Sequence, residues 1–217
     1  MPSQSSEAYR RIKDMIFRME LLPGSRIPEL QIAARLHISR TPIHDALRRL
    51  AAEGLVTIGH NRGATVNRFT DEEIREIGTL RLSQDILSAQ LAAYYGSASD
   101  FERLEELAQA CEDAAAQGDI YGRIQRDSAF HLAIAEISRN SHLVRQQYAL
   151  YQQIHLIQIS KYTNVEQSLV QIYHHKPLIA AIRGGDLTEV NRLICQHIQD
   201  FYQVEPYLLR CYQGGQG

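Results

Sequence analysis

The sequence predicts a mainly α-helical protein, with an N-terminal winged helix-turn-helix domain followed by an all-α bundle of about six helices. Apolar residues recur at helical spacing through most of the 217 residues, and one short β-rich pattern interrupts them before residue 68. Residues 1–68 hold 11 Lys and Arg against 6 Asp and Glu, whereas residues 69–217 hold 12 against 19. A chain of this length accommodates two cores, and the basic end is the one expected to meet a polyanion.

The first 68 residues contain three helical patterns and a hairpin pattern. Ile12, Met15, Ile16 and Met19 predict a helix over 6–20, which the LLPGS turn ends. Helices follow at 28–36 and 40–53, the latter with Ser39 as N-cap and Pro42 in its first turn. LVTIG and ATVNR, on either side of HNRG, predict two short antiparallel strands. We therefore expect the winged helix-turn-helix domain at 1–68.

The remaining chain reads as helices separated by short polar breaks. The expected helices are 70–95, 99–117, 119–137, 141–161, 164–184 and 186–211. Capping boxes mark four of their starts: Thr70 with Glu73, Ser99 with Glu102, Thr163 with Glu166, and Asp186 with Glu189. This pattern predicts an all-helical domain at 69–212 and a disordered tail at 213–217.

Two absences narrow the class of protein. The N-terminus lacks the apolar core of a signal peptide, and no run of 18 apolar residues occurs, so we expect a cytoplasmic protein with no membrane partner. Cys111, Cys195 and Cys211 form no C-x-x-C motif. They are therefore expected to be reduced thiols.

A helix-turn-helix with a wing places its second helix in the DNA major groove. The N-terminal residues of that helix, Arg40, Thr41 and His44, would face the bases, and an arginine there can bind guanine through two hydrogen bonds. Arg48 lies about one turn further along, and Asn61 and Arg62 stand at the wing tip beside Gly63. The alternative is that these residues form an ordinary solvated surface.

Asp127 and His131 are four residues apart, on one stripe of the third bundle helix. Such a pair is more often a hydrogen-bonded pair than a metal site, so further ligands are needed. The bundle also contains His142, His155, His174, His175 and His197. Three imidazoles and one carboxylate in a bundle core suit Zn, Ni, Mn or Fe(II), but spacing does not choose between His174 and His175.

Tyr148, Tyr151, Gln152 and His155 share helical spacing on the fourth bundle helix. This spacing is typical of ordinary bundle packing, and lining of a cavity is the alternative.

The stretch LPGSRIPELQIAARLHISRTPIHDALRRLAAEGLV, followed by NRGATV, resembles the winged helix-turn-helix domain of the GntR family of bacterial transcription regulators. The resemblance implies operator recognition by Arg40 and its neighbours, Ser39 included, and wing contacts from His60, Asn61, Arg62 and Gly63. The family usually has Arg-Glu where this chain has His44-Asp45. The loss of that arginine removes a fixed charge and a bidentate donor, so recognition at this step can differ from the common pattern.

Residues 70–211 resemble the FadR-type (FCD) effector domain of the same family through D-x-x-x-H, HHKPLIAAIRGGD and CQHIQD. The resemblance implies that Asp127, His131, His175 and His197 bind a divalent metal, with His174 beside these ligands or on the surface. Open coordination positions would then accept a small carboxylate effector. Arg81 matches a family arginine that faces the pocket, so we expect an anion anchor there, with a plain salt bridge to Asp85 as the alternative.

These features lead to the expectation of a homodimeric, metabolite-responsive DNA-binding regulator, by resemblance a repressor, that binds a short inverted repeat. We expect no enzyme activity. Two alternatives stay open. A metal-dependent hydrolase with a DNA-binding appendage lacks an H-E-x-x-H motif and an evident general base. A purely structural metal would hold three helices together without sensing any acid.

Overall fold

The computed structural model describes residues 3–60, 63–161 and 173–213. Its elements are α1 (Gln4–Phe17), α2 (Glu29–Leu36), α3 (Arg40–Ala52), β1 (Val56–Gly59), β2 (Gly63–Val66), α4 (Asp71–Tyr95), α5 (Ala98–Ala116), α6 (Ile120–Ile137), α7 (Ser141–Lys161), α8 (His175–Gly184), α9 (Leu187–Tyr202) and α10 (Pro206–Tyr212). This order confirms the predicted fold class. The predicted helix start and capping box at Thr163 and Glu166, the wing-tip residues 61–62, and residues 214–217 of the predicted tail lie outside the described residues.

The chain divides into two compact units. One contains Met1–Phe69 and Gln152–Ser160, and the other contains Thr70–Tyr151 and Lys161–Gly217. The first unit thus includes a segment of α7 that a division at residue 68 assigns to the second domain.

In the first unit, α1 and α2 pack on α3. The apolar stripes that predicted these helices face one another: Ile12 and Ile16 of α1, and Ile43, Leu47 and Leu50 of α3, are fully buried. α1 begins at a Ser3 cap and ends at Phe17, three residues before the expected end, and Met19 then adopts a positive φ of 59°. The turn toward Pro23 and Gly24 therefore starts earlier than the sequence suggested.

The wing is an antiparallel hairpin. β1 and β2 pair with Val56 opposite Val66 and Gly59 opposite Gly63. Arg26, in the segment before α2, forms a further isolated bridge with Thr65, so that segment lies along the outer edge of β2.

In the second unit, α6 packs against α4 and α5, while α9 packs against α4 and α8. α4 and α9 approach closely at Gly78, where a Cβ atom would lie 2.3 Å from Cβ of Tyr202. Any larger residue at position 78 would therefore clash with Tyr202. This close approach brings α9 beside the buried face of α4.

Two predicted helix starts are confirmed and one is wrong. Thr70 and Glu73 form the expected reciprocal capping box. Asp186 accepts the N–H of Glu189, although the Glu189 side chain bonds Arg192 instead of completing a box. The start predicted at Ser99 lies two residues too late, because Ser97 and Asp100 form the capping box of α5.

The last predicted helix, 186–211, is two helices. Gln203 has a left-handed backbone conformation that ends α9, and Pro206 occupies the first turn of α10. Because proline has no N–H to donate to the preceding turn, a continuous helix is disfavoured there. Pro206 is therefore the residue from which this break between two helices could have been predicted in the sequence.

Within the described part of the chain, no helix is both long enough and apolar enough to cross a membrane. The three cysteines are free thiols, as expected; Cys111 and Cys195 are buried, and Cys211 is exposed. Burial raises the pKa of Cys111 to about 12 and that of Cys195 to about 11.

Candidate metal centre and nucleic-acid interface

The N-terminal part of α3 and the wing line one open groove. Arg40, Thr41, His44 and Arg48 are exposed, and they border a groove of about 770 Å³ together with Gly63. Glu29 and Asp45 border the same groove and add two carboxylates to it. The sequence-predicted reading residues are thus brought to one surface. His60 is exposed as well, whereas Asn61 and Arg62 lie outside the described residues.

Ser39 occupies the N-cap position of α3 but makes no capping hydrogen bond. An N-cap hydroxyl normally accepts the N–H of the second or third helical residue. The third residue here is Pro42, which has no N–H. The predicted N-cap position of Ser39 is thus confirmed, but its side chain makes no capping hydrogen bond. Its exposed hydroxyl remains available to a ligand such as a phosphate.

Arg48 and Arg49 are neighbours in sequence with different surroundings. The guanidinium of Arg49 lies 4.0 Å from the centre of the Tyr9 ring on α1, a cation–π contact. Arg48 instead borders the groove beside the wing. Only Arg48 of this pair is placed to meet a molecule in the groove.

Arg26 is a candidate interface residue that the sequence analysis missed. It is exposed, and it borders a second groove of about 570 Å³ that Arg40 and Gly63 also border. Its Nε and Nη2 atoms would lie 3.4 Å from a Cβ built on Gly63. The non-local Arg26–Thr65 bridge brings it to the wing, and no local sequence pattern reports such a bridge.

The predicted metal ligands converge in the core of the second unit. α6 supplies Asp127 and His131 one turn apart, α8 supplies its first residue, His175, and α9 supplies His197. All four are buried, with 0–3% of their surface exposed. One ligand atom from each lies within 4.8 Å of the corresponding atom of every other member.

Four separations describe the cluster more closely. Asp127 Oδ1 is 3.1 Å from Nε2 of His175 and 3.9 Å from Nε2 of both His131 and His197. Nε2 of His131 and Nε2 of His197 are 3.0 Å apart. A transition metal bonds imidazole nitrogen and carboxylate oxygen at about 2.0–2.2 Å, so two ligands on one ion stand roughly 3–4 Å apart. The donor set therefore fits a divalent transition metal.

The hydrogen bonding of these residues supports that fit. Both carboxylate oxygens of Asp127 and both ring nitrogens of His175 are buried, and none makes a hydrogen bond of good geometry among the described residues, although Asp127 Oδ1 and His175 Nε2 are 3.1 Å apart. Buried polar atoms are rarely left in this state, because the loss of hydration is not compensated. A cation between the four side chains would be bound by Asp127 and by one ring nitrogen of His175.

Asp85 of α4 supports the centre from one side. Its carboxylate accepts hydrogen bonds from the Tyr151 hydroxyl (2.8 and 2.9 Å) and from Gln147 (2.8 Å). Its Oδ2 also lies 3.6 Å from Nδ1 of His131. A carboxylate behind the second nitrogen of a ligating imidazole fixes the orientation of that ring.

Arg81, the expected effector anchor, is fully buried and already engaged. Its Nε donates to Asp85 at 3.2 Å, and its Nη1 donates to the Tyr202 hydroxyl at 3.2 Å. Its Nη2 lies 3.2 Å from Nε2 of His197. The salt bridge with Asp85 is thus present, while the guanidinium also reaches the histidine cluster. Tyr202, which the sequence analysis did not single out, is held there by its contact with Gly78.

The ionisation of the cluster suits metal ligation. Burial and the charge of Arg81 lower the pKa of His131 well below its usual value, which favours the neutral imidazole that metals require. Burial alone would raise the pKa of Asp127, but the adjacent His175 and the other imidazoles hold it well below its usual value. Burial raises the pKa of Asp85 to about 6, against the opposing charge of Arg81.

Of the other polar candidates on α7 and α8, most lie away from the cluster. His174 is the N-cap of α8, and its ring centre is 6.1 Å from that of His197. Tyr148 is exposed, and His155 belongs to the first unit, where it stacks on Phe17 at 4.0 Å. Of the four polar residues with helical spacing on α7, Tyr151 is the one that bonds Asp85.

The chain thus combines a winged helix-turn-helix with a helical bundle that contains a buried Asp/His cluster. This combination places it in the class of two-domain DNA-binding regulators. Family models agree with this architecture. The model described as bacterial regulatory proteins, gntR family, matches residues 4–66, and the FCD domain model matches residues 76–200, more than half of the chain. The chain belongs to the GntR family of transcriptional regulators, in the group that carries an FCD domain.

Individual relatives agree. The chain is 27% identical over 190 residues to the HTH-type transcriptional regulator YdhC of Bacillus subtilis, covering 87% of this chain and 85% of YdhC. It is 22% identical over 196 residues to the HTH-type transcriptional repressor RspR of Escherichia coli, covering 90% and 86%. The solved structure of E. coli McbR/YncC has the same fold, with a TM-score of 0.79 at 23% identity over 94% of this chain and 99% of that one. These names indicate a transcription regulator.

Proposed function

We propose that this protein is a transcriptional repressor whose affinity for its operator changes when a small organic acid binds at a divalent metal held by Asp127, His131, His175 and His197. The observation that carries the proposal is the convergence of these four buried ligand atoms within 4.8 Å. A Zn, Ni, Mn or Fe(II) ion accepts this donor set and leaves coordination positions for water or a carboxylate. When bound, the metal supplies a positive charge that attracts the acid.

The DNA-binding part of the proposal rests on the two grooves of the first unit. Arg40, Thr41, His44 and Arg48 would read bases or phosphates from α3, and Ser39 would bind a phosphate with its hydroxyl. His60, Asn61, Arg62 and Gly63 are proposed wing contacts. Arg26 joins them, because it borders a groove with Arg40 and Gly63.

The effector part of the proposal rests on Arg81. Its guanidinium lies within hydrogen-bond distance of His197, so a carboxylate on the metal would be next to a fixed positive charge. Such an acid would have to displace one of the bonds that Arg81 makes to His197, Tyr202 or Asp85. The direction of regulation follows RspR, a relative named as a repressor.

Two copies of the chain would read the two halves of a short inverted repeat. The acid changes operator affinity only if it binds one arrangement of the dimer more tightly than another. The free energy of acid binding is then coupled to the free energy of DNA binding.

The test combines three measurements on the purified full-length protein. Elemental analysis gives the metal content, and thermal-shift assays screen dicarboxylates, tricarboxylates, sugar acids and hydroxy acids with and without chelator. DNA affinity is measured on a fragment that the protein selects from a random library. We expect about one metal per chain, and stabilisation of roughly 2.7 kcal/mol by one acid class at 100 times its Kd. That stabilisation should vanish with chelator, and the acid should weaken DNA binding.

A purely structural metal is the second candidate, and the complete burial of the four ligands favours it. In that case the protein would contain metal and chelation would lower its melting temperature, yet no acid would add stability or change DNA affinity. If the protein contains no metal, both candidates fail. If an acid stabilises it equally with and without chelator, the acid does not bind at the metal.

A further inference from the structure

Each of the two grooves in the first unit is bordered by an exposed aliphatic side chain. Leu30, in the first turn of α2, is 65% exposed and borders the groove of about 570 Å³. Ile58, on β1, is 38% exposed and borders the groove of about 770 Å³. Arg40 borders both grooves. The surface that would meet DNA therefore presents apolar groups as well as charged ones.

Leu30 is the more unusual of these two side chains. Alternate residues of a strand share one face, so Ile58 lies on the same face of β1 as the buried Val56, and its partial exposure follows from its place at the edge of the core. Leu30, in contrast, has the most exposed side chain of any leucine or isoleucine among the described residues. Single exposed apolar residues are common on protein surfaces, so the surroundings of Leu30 decide whether it has a role.

Leu30 shares its groove with two guanidinium groups. Arg26 and Arg40 are both exposed, and both border this groove. Nε and Nη2 of Arg26 would lie 3.4 Å from a Cβ built on Gly63, so this guanidinium is beside the wing, whereas Arg40 is the first residue of α3. Among the described residues that border the groove, Glu29 is the one carboxylate. The balance of charge is positive, which suits the DNA polyanion.

The side chain of Leu30 limits which part of DNA it can bind. The two guanidinium groups can bond phosphate oxygens or guanine, but an aliphatic side chain can bond neither. The base edges of the major groove carry one apolar group, the 5-methyl group of thymine. Because Leu30 borders the same groove as Arg40, which begins the recognition helix, it would lie near the base edges. Thymine is therefore the base that this side chain matches.

We infer that Leu30 contacts the 5-methyl group of a thymine in the operator, at the base pair of the guanine that Arg40 binds or beside it. This inference rests on the DNA-binding part of the proposed function. It adds a base-specific contact from α2 to those proposed for α3 and the wing. The operator half-site should accordingly contain a thymine next to, or paired within one step of, that guanine.

Removal of the methyl group alone tests the contact. Each thymine of the library-selected DNA is replaced in turn by deoxyuridine, which lacks the methyl group and still pairs with adenine. Fluorescence anisotropy at a fixed salt concentration measures the Kd. For the wild type, we expect one thymine per half-site at which deoxyuridine weakens the Kd about fourfold, the effect of exposing one methyl-sized group. Leu30→Ala should bind the thymine DNA at least about fourfold more weakly, and the same deoxyuridine should weaken it no further.

Leu22→Ala is the matched control. Leu22 is 55% exposed, lies between α1 and α2, and borders neither groove. This variant should keep the wild-type Kd and the wild-type response to deoxyuridine. Because both leucines are exposed, neither substitution removes a core side chain.

Three results would overturn the inference. The first is a Leu30→Ala variant that binds like the control. The second is a Leu30→Ala variant that binds more weakly but still responds to deoxyuridine as the wild type does, since Leu30 would then contact a sugar and not a methyl group. The third is a wild type for which no thymine methyl group matters. All three leave the proposed function standing, whereas a wild type that selects no DNA sequence would contradict both.

Discussion

Arg40 stands at the start of α3, exposed, on the border of both grooves of the first unit. If it reads a guanine, Arg40→Ala should cost about 1–3 kcal/mol of binding free energy, a roughly 5- to 150-fold weaker Kd. The Kd is measured by fluorescence anisotropy with the library-selected DNA at a fixed salt concentration. Arg49→Ala removes the same charge from the last turn of α3 but breaks a contact with Tyr9, so it should leave the Kd nearly unchanged. Equal losses in the two variants would mean that only net charge matters.

His197 supplies one of the four candidate ligand atoms, from α9. His197→Ala should reduce metal affinity by at least about 10–100-fold, since even partners behind the ligands have effects of that size. The metal-to-protein ratio after dialysis against a weak chelator reports the change. His142→Ala is the control, because His142 is exposed and its ring contacts Arg145, not the cluster. Full metal occupancy in the His197→Ala variant would show that His197 is not a metal ligand.

Ser97, not Ser99, caps α5, and this difference between sequence and structure is measurable. Loss of an N-cap hydroxyl costs typically about 1 kcal/mol, so Ser97→Ala should lower the free energy of unfolding by that amount. Ser99→Ala should change it by less than about 0.5 kcal/mol. Urea denaturation midpoints compare the two. A larger loss of stability in Ser99→Ala than in Ser97→Ala would show that Ser99 caps α5, as the sequence suggested.

The close approach of α4 and α9 predicts that position 78 accepts only glycine. Gly78→Ala should destabilise the protein by about 1–3 kcal/mol, because the new Cβ meets the Tyr202 side chain. At Gly184, the last residue of α8, a Cβ meets nothing within 4 Å. Gly184→Ala should therefore be neutral or stabilising by up to about 1 kcal/mol. Chemical denaturation of both variants tests the contrast, and a tolerated alanine at position 78 would show that Tyr202 moves away freely.

At the scale of the whole molecule, a metal bound by the four clustered side chains would join three helices that are distant in sequence. The candidate ligands on α6, α8 and α9 come together only in the folded state, so a bound metal would add to stability. With metal at 1,000 times its Kd the gain is about 4 kcal/mol, and chelation should lower the melting temperature by roughly 10 °C. The double variant His131→Ala/His197→Ala should melt at one temperature with or without chelator. A chelator effect that persists in this variant would come from metal bound elsewhere.

The sequence predicted the features that depend on residues close to one another in the chain. Helical periodicity gave the helices, and the i, i+4 spacing of Asp127 and His131 gave half of the cluster. It did not choose His175 over His174; that choice came from the resemblance to a family. In the structure His175 is the first residue of α8 and 1% exposed, whereas His174 precedes the helix. Helix boundaries decide which of two adjacent histidines faces inward, and boundaries are what periodicity defines least well.

Contacts between residues that are far apart in the sequence could not be predicted. Arg26 reaches the wing through a bridge to Thr65, and Tyr202 reaches Arg81 because Gly78 leaves room for it. Neither contact leaves a local pattern. The exposed leucine at the start of α2 is an intermediate case. Its helical spacing is visible in the sequence, but only the structure tells that it borders a groove and lies outside the core.

The distribution of the three thiols makes this protein convenient for spectroscopy. Cys111 and Cys195 are buried and have raised pKa values, so a maleimide dye should react with Cys211 alone. Each chain therefore carries a natural labelling site on α10, and no cysteine has to be removed or added. In a two-fold dimer, donor and acceptor dyes on the two copies would report one distance. Changes in that distance on addition of DNA, metal or acid would be visible in single molecules of the native sequence.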